Sequence, residues 1–272
     1  MEQRTIAFIG AGNMAHAIIA GLIASGYPAQ RIIASAPSQA NLASLHTQYA
    51  IKTTSDNLAA AQQADVVVLA VKPQLMAEVC QPMQAIDWSN KLVISIAAGI
   101  SVARLQQLLN TQPALVRVMP NTPSLVNQGM AGLFAAPEAS DNDKNFTEQL
   151  MSSVGKTCWV SEESAINSVI AAAGSAPAYF FLFMEAMQAE AIAQGFDKQT
   201  ARLLVEQSAL GAAQMVAANP QLELATLREQ VTSKGGTTAQ AIATFEQHQL
   251  SDIVAKAMRA AVHRAQEMEK LF

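Results

Sequence analysis

The residues that most restrict what this chain can fold into lie at its start. Thr5-Ile6-Ala7-Phe8-Ile9 is a short apolar run, and Gly10-Ala11-Gly12-Asn13-Met14-Ala15 follows it without a spacer. Residues 13–25 then place Ile18, Ile19, Leu22 and Ile23 at helical spacing. A buried parallel strand that passes into a helix through G-x-G-x-x-A leaves few architectures open. The first glycine permits a tight turn and the second lets a phosphate approach the backbone. The small Ala15 lets the helix pack closely on the strand. This pattern assigns Gly10, Gly12, Asn13 and Met14 to the pyrophosphate of a dinucleotide.

The alternation continues. Residues 31–35, 65–71, 92–96, 115–119, 130–135 and 157–160 read as strands, with a weaker one near 51–53. A helix is expected at 38–49 and others between several of the strands. Such alternation predicts an α/β fold with a doubly wound parallel sheet and right-handed crossovers. After Val160 the character changes. Residues 161–272 hold no convincing strand and are rich in alanine, with periodic stretches at 177–194, 198–218 and 250–271. The expectation is a Rossmann-type domain over residues 1–161 and an all-helical domain over 162–272. The run Phe180-Phe181-Leu182-Phe183-Met184, with Met187, is more apolar than so few helices can bury, which predicts a second copy covering it.

Bulk properties exclude several classes. The 272 residues suffice for two domains. A net charge of −4 without a basic tract argues against nucleic acid. Cys80 and Cys158 form no CxxC pair, and His16, His46, His248 and His263 lack ligand spacing, so no metal is expected. Cysteine usage and the absence of a secretory signal fit the cytoplasm. Residues 164–184 carry no charge and are long enough to span a bilayer. Asn167, Ser168 and the run Gly174-Ser175-Ala176-Pro177 instead read as a break between two buried helices, so no membrane partner is expected.

An acid at the end of the second strand would bind the adenosine ribose hydroxyls of NAD. None stands between Glu2 and Asp56. That absence favours NADP(H), with NAD(H) the alternative. No arginine follows the second strand, so Ser35, Ser38, Asn57 and local backbone amides are the candidate phosphate partners. Ligands bind outside the carboxyl ends of parallel strands. This rule brings Ala70, Val71, Lys72 and Pro73 to the cofactor edge, together with Ala97 and Pro120. The small residues around Ala97 leave room for nicotinamide, and Asn121 offers an amide. Far away, Ser233-Lys234-Gly235-Gly236-Thr237-Thr238 opens a helix with hydroxyls at or near its N-cap. Free amides and the helix dipole there suit a carboxylate. A dinucleotide and a carboxylate cradle together imply an oxidoreductase acting on a small carboxylic acid.

Five blocks, in order, resemble the pyrroline-5-carboxylate reductase family along nearly the whole chain. They are residues 10–15, Ala70-Val-Lys-Pro73, Met119-Pro-Asn-Thr-Pro123, Gly174-Ser-Ala-Pro-Ala-Tyr179 and residues 233–238. The family typically reads Ser-Pro-Gly-Gly-Thr-Thr in the last block, where this chain has Lys234 in place of proline. The resemblance implies NAD(P)H-dependent reduction of 1-pyrroline-5-carboxylate to L-proline. It also implies a helical dimerisation domain, with homodimers often assembling to decamers. By the match, Gly235, Gly236 and Thr237 hold the substrate carboxylate, with Ser233 and Asn121 as further contacts. Thr238 reaches the ring nitrogen, Lys72 joins it as a catalytic candidate, and Ser175 is candidate pocket lining. A β-hydroxyacid dehydrogenase or related imine reductase would carry a lysine or aspartate in the helix after the boundary, where 177–194 offers only Glu185 and Glu190. A sensor that binds NADP without turnover is the other class, disfavoured by the intact Gly-Gly-Thr-Thr.

Overall fold

The computed structural model describes residues 1–271. Eight strands form one sheet: β1 (Ile6–Ile9), β2 (Ile32–Ser35), β3 (Lys52–Thr54), β4 (Val66–Leu69), β5 (Leu92–Ser95), β6 (Ala114–Met119), β7 (Gly129–Ala135) and β8 (Gly155–Trp159). Their order is β3-β2-β1-β4-β5-β6-β7-β8. Strands β1, β2, β4 and β5 are buried at every position, which is why they read as continuous apolar runs. Alternate residues face opposite layers. Phe8 packs with Ile18 and Leu22 of α1 (Asn13–Ala24), Leu45 of α2 (Gln39–Tyr49) and, further along the sequence, Leu150. Ile9 packs on the other face with Ala60 of α3 (Asn57–Gln63), Met76 of α4 (Met76–Cys80) and Leu105 of α5 (Val102–Leu109).

One strand departs from the expected parallel arrangement. β7 runs antiparallel to β6, with Val116 opposite Ala135. The intervening segment is too short for the crossover of about a dozen residues that a parallel return needs. β8 is parallel to β7 again, because α6 (Asp141–Ser152) supplies a full crossover between them. A capping box of Ser140 and Asp143 starts α6. Arg4 Nη1 lies 2.7 Å from Asp143 Oδ1. Burial acts to raise the Asp143 pKa, but hydrogen bonds from Arg4 and Ser140 outweigh it and hold this carboxyl below its ordinary value.

The chain packs as two compact units: Met1–Pro177 together with the chain from Ala261 onward, and Ala178–Ala260. This division lies later than the expected boundary after residue 161. The change in sequence character marks where strands end, yet α7 (Ala165–Val169) still docks on the sheet. A Cβ on Gly132 of β7 would meet Val169 Cγ1 at 2.6 Å, so only glycine admits that contact. The second unit contains α8 (Ala176–Ala193) from Ala178, α9 (Lys198–Ala218), α10 (Leu224–Gln230), α11 (Thr237–Gln247) and the first half of α12 (Leu250–Leu271).

The expected break near Gly174 is not a break. α7 passes through a π-turn at Ile170–Gly174 directly into α8, giving one helical segment from Ala165 to Ala193. Pro177 has no N–H to offer the carbonyl of Ala173. Asn121 Nδ2 donates to that carbonyl instead, at 3.0 Å, so the helix continues across the proline. This segment has the length and mean hydropathy (1.4) to cross a membrane by composition alone. None of the α8 residues is buried, and Phe180, Phe181 and Leu182 are 67%, 62% and 67% exposed. Apolar exposure on this scale marks an interaction surface.

Candidate active site

The turn after β1 has the backbone features expected of a phosphate site. Gly10 adopts φ +107, and its N–H donates to the Ser35 carbonyl at 2.8 Å. A Cβ there would lie 2.5 Å from the carbonyl oxygen of Ala70, so Gly10 lets β1 and the end of β4 approach each other. Gly12 behaves oppositely. It is the N-cap of α1 with ordinary extended φ and ψ, and a Cβ there would meet nothing within 4 Å. No side chain caps α1, so its first amides face this open space beside exposed Asn13 and half-buried Met14. These features fit a dinucleotide pyrophosphate. Asn41 Nδ2 donates to the Ala11 carbonyl at 3.3 Å and ties the turn to α2. Sequence pattern gave no sign of this tether, because the two residues meet only through folding.

On the adenosine side, Ser35 and Asn57 meet each other. The Ser35 side chain is fully buried, and its hydroxyl donates to Asn57 Oδ1 at 2.7 Å. Ser35 therefore orients Asn57. Ser38 caps α2 and accepts from Asn41 N, while its residue remains exposed. Asn57 opens α3 and is half-buried.

Across the sheet, Ala70, Val71, exposed Lys72 and Pro73 follow β4, as expected for the cofactor edge. Lys72 is the N-cap of a short 3-10 turn that Pro73 begins. Ala97 follows β5 with its N–H 3.4 Å from Ser95 Oγ, and Pro120 is buried after β6. Asn121 comes next. It is buried, Met130 N donates to its Oδ1 at 2.8 Å, and its Nδ2 holds Ala173. Both ends of the amide are engaged with backbone, so Asn121 positions β7 and the π-turn. Ser175 follows that π-turn, half-buried, with its N–H on the Ile170 carbonyl at 2.7 Å.

The helical unit carries the turn expected to hold the carboxylate. Gly236 N donates to the Ser233 carbonyl at 3.0 Å, and Gly235 has φ +75. This is a type II turn with Lys234 at its corner, a position that proline also suits. Gly236 is the N-cap of α11 with the Thr237 and Thr238 hydroxyls next to it as expected, and among the described residues no side-chain cap bond forms at this end. Thr237 and Thr238 occupy the first helical positions and are exposed, with Ser233, Lys234 and Gly235 exposed before them. A side chain at 236 would strike Ser233 Oγ at 2.5 Å. The first-turn amides and the Thr238 hydroxyl are thus presented together at a helix start.

Two cavities stand apart from these features. One, of about 490 Å³, is lined by Glu2, Arg4, Asp65, Lys91 and Glu138 at the amino ends of the strands, opposite the ligand-binding end. The other, about 690 Å³ within the helical unit, is lined by Phe181, Met184, Ile192, Arg202 and Val205. No cluster of metal-ligating side chains occurs among the described residues.

Comparison with known proteins agrees with this geometry. Residues 163–268 match the family model described as pyrroline-5-carboxylate reductase dimerisation. Residues 5–99 match that of NADP oxidoreductase, coenzyme F420-dependent. A pyrroline-5-carboxylate reductase of Vibrio alginolyticus is 68% identical over 100% of both chains. That of Escherichia coli K12 is 34% identical over 98% of this chain and 99% of its own. The solved Coxiella burnetii pyrroline-5-carboxylate reductase superposes with a TM-score of 0.93 at 43% identity, covering 98% and 99% of the two chains. The Plasmodium falciparum pyrroline carboxylate reductase, solved with NADP bound, gives 0.87 at 26% identity over 99% of each. With full-length identity of this order joined to a dinucleotide turn and an uncapped Gly-Gly-Thr-Thr helix start, the chain belongs to the pyrroline-5-carboxylate reductase family.

Proposed function

We propose that this enzyme reduces the C=N bond of 1-pyrroline-5-carboxylate to give L-proline with NADPH in preference to NADH. We further propose that it works in the cytoplasm as a homodimer that assembles to a decamer. The observation that carries the reading is the pair of complementary glycine sites. Gly10 and Gly12 open a phosphate site at the start of α1, and Gly235 and Gly236 open a carboxylate site at the start of α11.

Bound NADPH supplies the hydride. The chain's own residues hold and orient. The amides of Gly235, Gly236 and Thr237 take the substrate carboxylate, supported by the α11 dipole. The Thr238 hydroxyl bonds the ring nitrogen and orients the iminium, which accepts hydride without a strong general acid. Positioning of this kind supplies much of a barrier reduction. Lys72, exposed at the end of β4, lies on the cofactor edge as a cation for the dinucleotide. The lack of an acid after β2 supports NADPH, with Ser38, Asn57 and the α2 amides as 2′-phosphate partners. The exposed apolar surface of α8, within the stretch that matches the dimerisation family model, supports a dimer.

The test is oxidation of NADPH and of NADH, followed at 340 nm, with 1-pyrroline-5-carboxylate and with proline measured as product. Turnover with a kcat/KM ratio clearly above one for NADPH is expected. Equal or better use of NADH would overturn the cofactor preference. NADPH binding without proline formation would overturn the reaction. Activity should fall on dilution in step with dimer dissociation, and a fully active monomer would refute the need for a second copy.

A further inference from the structure

We propose that the last turn of α12 clamps the loop that receives the nicotinamide half of the cofactor, and that Glu269 is a positioning residue for hydride transfer. The proposal rests on the dinucleotide reading above and adds a part of the chain to it.

The loop in question, residues 96–101, joins β5 to α5. The order of strands reverses between β1 and β4. The carboxyl ends of β4, β5 and β6 therefore belong to the second mononucleotide half, where nicotinamide lies if the pyrophosphate sits at α1. The loop is held at two points by residues far away in sequence. Gly99 has φ +72, and a Cβ there would lie 3.1 Å from Met268 Cβ. The end of α12 thus lies directly against the loop backbone.

The second point is an ion cluster beneath the loop. Arg117 stands on β6 opposite Ser95 of β5 and is 2% exposed. Its Nη1 lies 2.5 Å from Glu163 Oε1 and 3.3 Å from Glu269 Oε1. Glu163 Oε1 also accepts from Val102 N at 2.7 Å, so one carboxylate bonds Arg117 and the start of α5 together. Glu269 Oε2 accepts from Asn167 Nδ2 at 3.2 Å. Arg117 Nη2 and Asn167 Oδ1 are buried and have no hydrogen-bond partner among the described residues. An ion cluster whose arginine is buried but whose two carboxylates are partly exposed adds little stability over apolar packing. What it does is fix geometry: β6, α5, α7 and the end of α12 are held in one register around residues 96–101.

The experiment compares two ligands on the full-length protein by fluorescence titration: NADPH, and adenosine 2′,5′-bisphosphate, which lacks the nicotinamide half. Glu269→Gln keeps the side chain's shape and removes its charge, leaving Arg117 paired with Glu163. Met268→Gly removes the Cβ that lies against Gly99 without touching the ion cluster. Both variants should bind NADPH about fivefold or more weakly, hold adenosine bisphosphate within about twofold, and lose about tenfold in kcat with KM for the imine unchanged. Glu269→Asp should recover part of the loss. Unchanged NADPH binding in both folded variants would overturn the clamp, as would equal weakening of the two ligands. A parent chain that binds both ligands but fails to form proline would sink the proposed reaction and leave the clamp standing. A parent that binds neither would sink both.

Discussion

The two glycines of the phosphate turn should respond to the same substitution in opposite ways. Gly10→Ala places a methyl 2.5 Å from the Ala70 carbonyl oxygen, against 3.4–4 Å for ordinary contact. Neither strand can yield freely, since Gly10 N is bonded to Ser35 O and Ala70 N to Ile9 O, each at 2.8 Å. The φ of +107 adds about 1–2 kcal/mol of backbone strain, and overpacking adds about 1–3 kcal/mol. The expected loss is about 2–5 kcal/mol, a fall in Tm of roughly 5–15 °C for a chain of this size. Gly12→Ala meets nothing within 4 Å and keeps an ordinary backbone conformation. Its poorer N-cap costs about 0.5–1 kcal/mol, offset by about 0.4–1 kcal/mol from a stiffer unfolded chain. Its Tm should stay within about 2 °C of the parent, while NADPH affinity falls about tenfold or more because the methyl occupies the phosphate approach. Differential scanning fluorimetry without ligand and NADPH titration separate the two. A Gly10→Ala protein that melts with the parent would refute the steric reasoning. A Gly12→Ala protein with unchanged NADPH affinity would refute the placement of the pyrophosphate.

Other perturbations test the remaining parts. Thr238→Ala should lower kcat/KM about tenfold, the weight of about 1.4 kcal/mol, with stability within about 0.5 kcal/mol, since Gly236 caps α11 and no side chain bonds that end; full activity would remove Thr238 from the mechanism. Lys234→Pro suits the corner of the Ser233–Gly236 turn and should stabilise by about 0.4–1 kcal/mol. It should also weaken the salt dependence of KM for the imine, and a destabilised variant would contradict the turn assignment. Phe181→Asp, at a site 62% exposed in the single chain, should weaken self-association at least about tenfold by sedimentation; an unchanged assembly would place the interface elsewhere. Burial raises the Cys80 thiol from 9.0 to about 11, so its contribution is whole below pH 9.0 and lost as pH rises through about 11. The denaturant midpoint should hold up to pH 9.0 and then fall, and Cys80→Val should fall less; parallel curves for the two proteins would discount Cys80.

Much of this fold is legible in local pattern. Stretches 198–218 and 250–271 coincide with α9 and α12, and the apolar runs locate every strand of the sheet to within a few residues. Periodicity is a local property: it states which side of an element is buried, and the glycine spacing at 10–12 and 235–236 states where backbone must open. Tertiary structure decided what lies opposite each buried side. Ser35 and Asn121 carry polar groups beside ligand motifs, yet their hydrogen bonds go to Asn57, Met130 and Ala173. The direction of β7 follows from the length of its connection. The helix continues past Pro177 because a side chain from another loop takes the freed carbonyl. Arg117 is unremarkable in its strand until Glu163 and Glu269 reach it from far along the chain. Hydrogen bonds and ion pairs are satisfied by whichever group folding brings near, and no local pattern names that group.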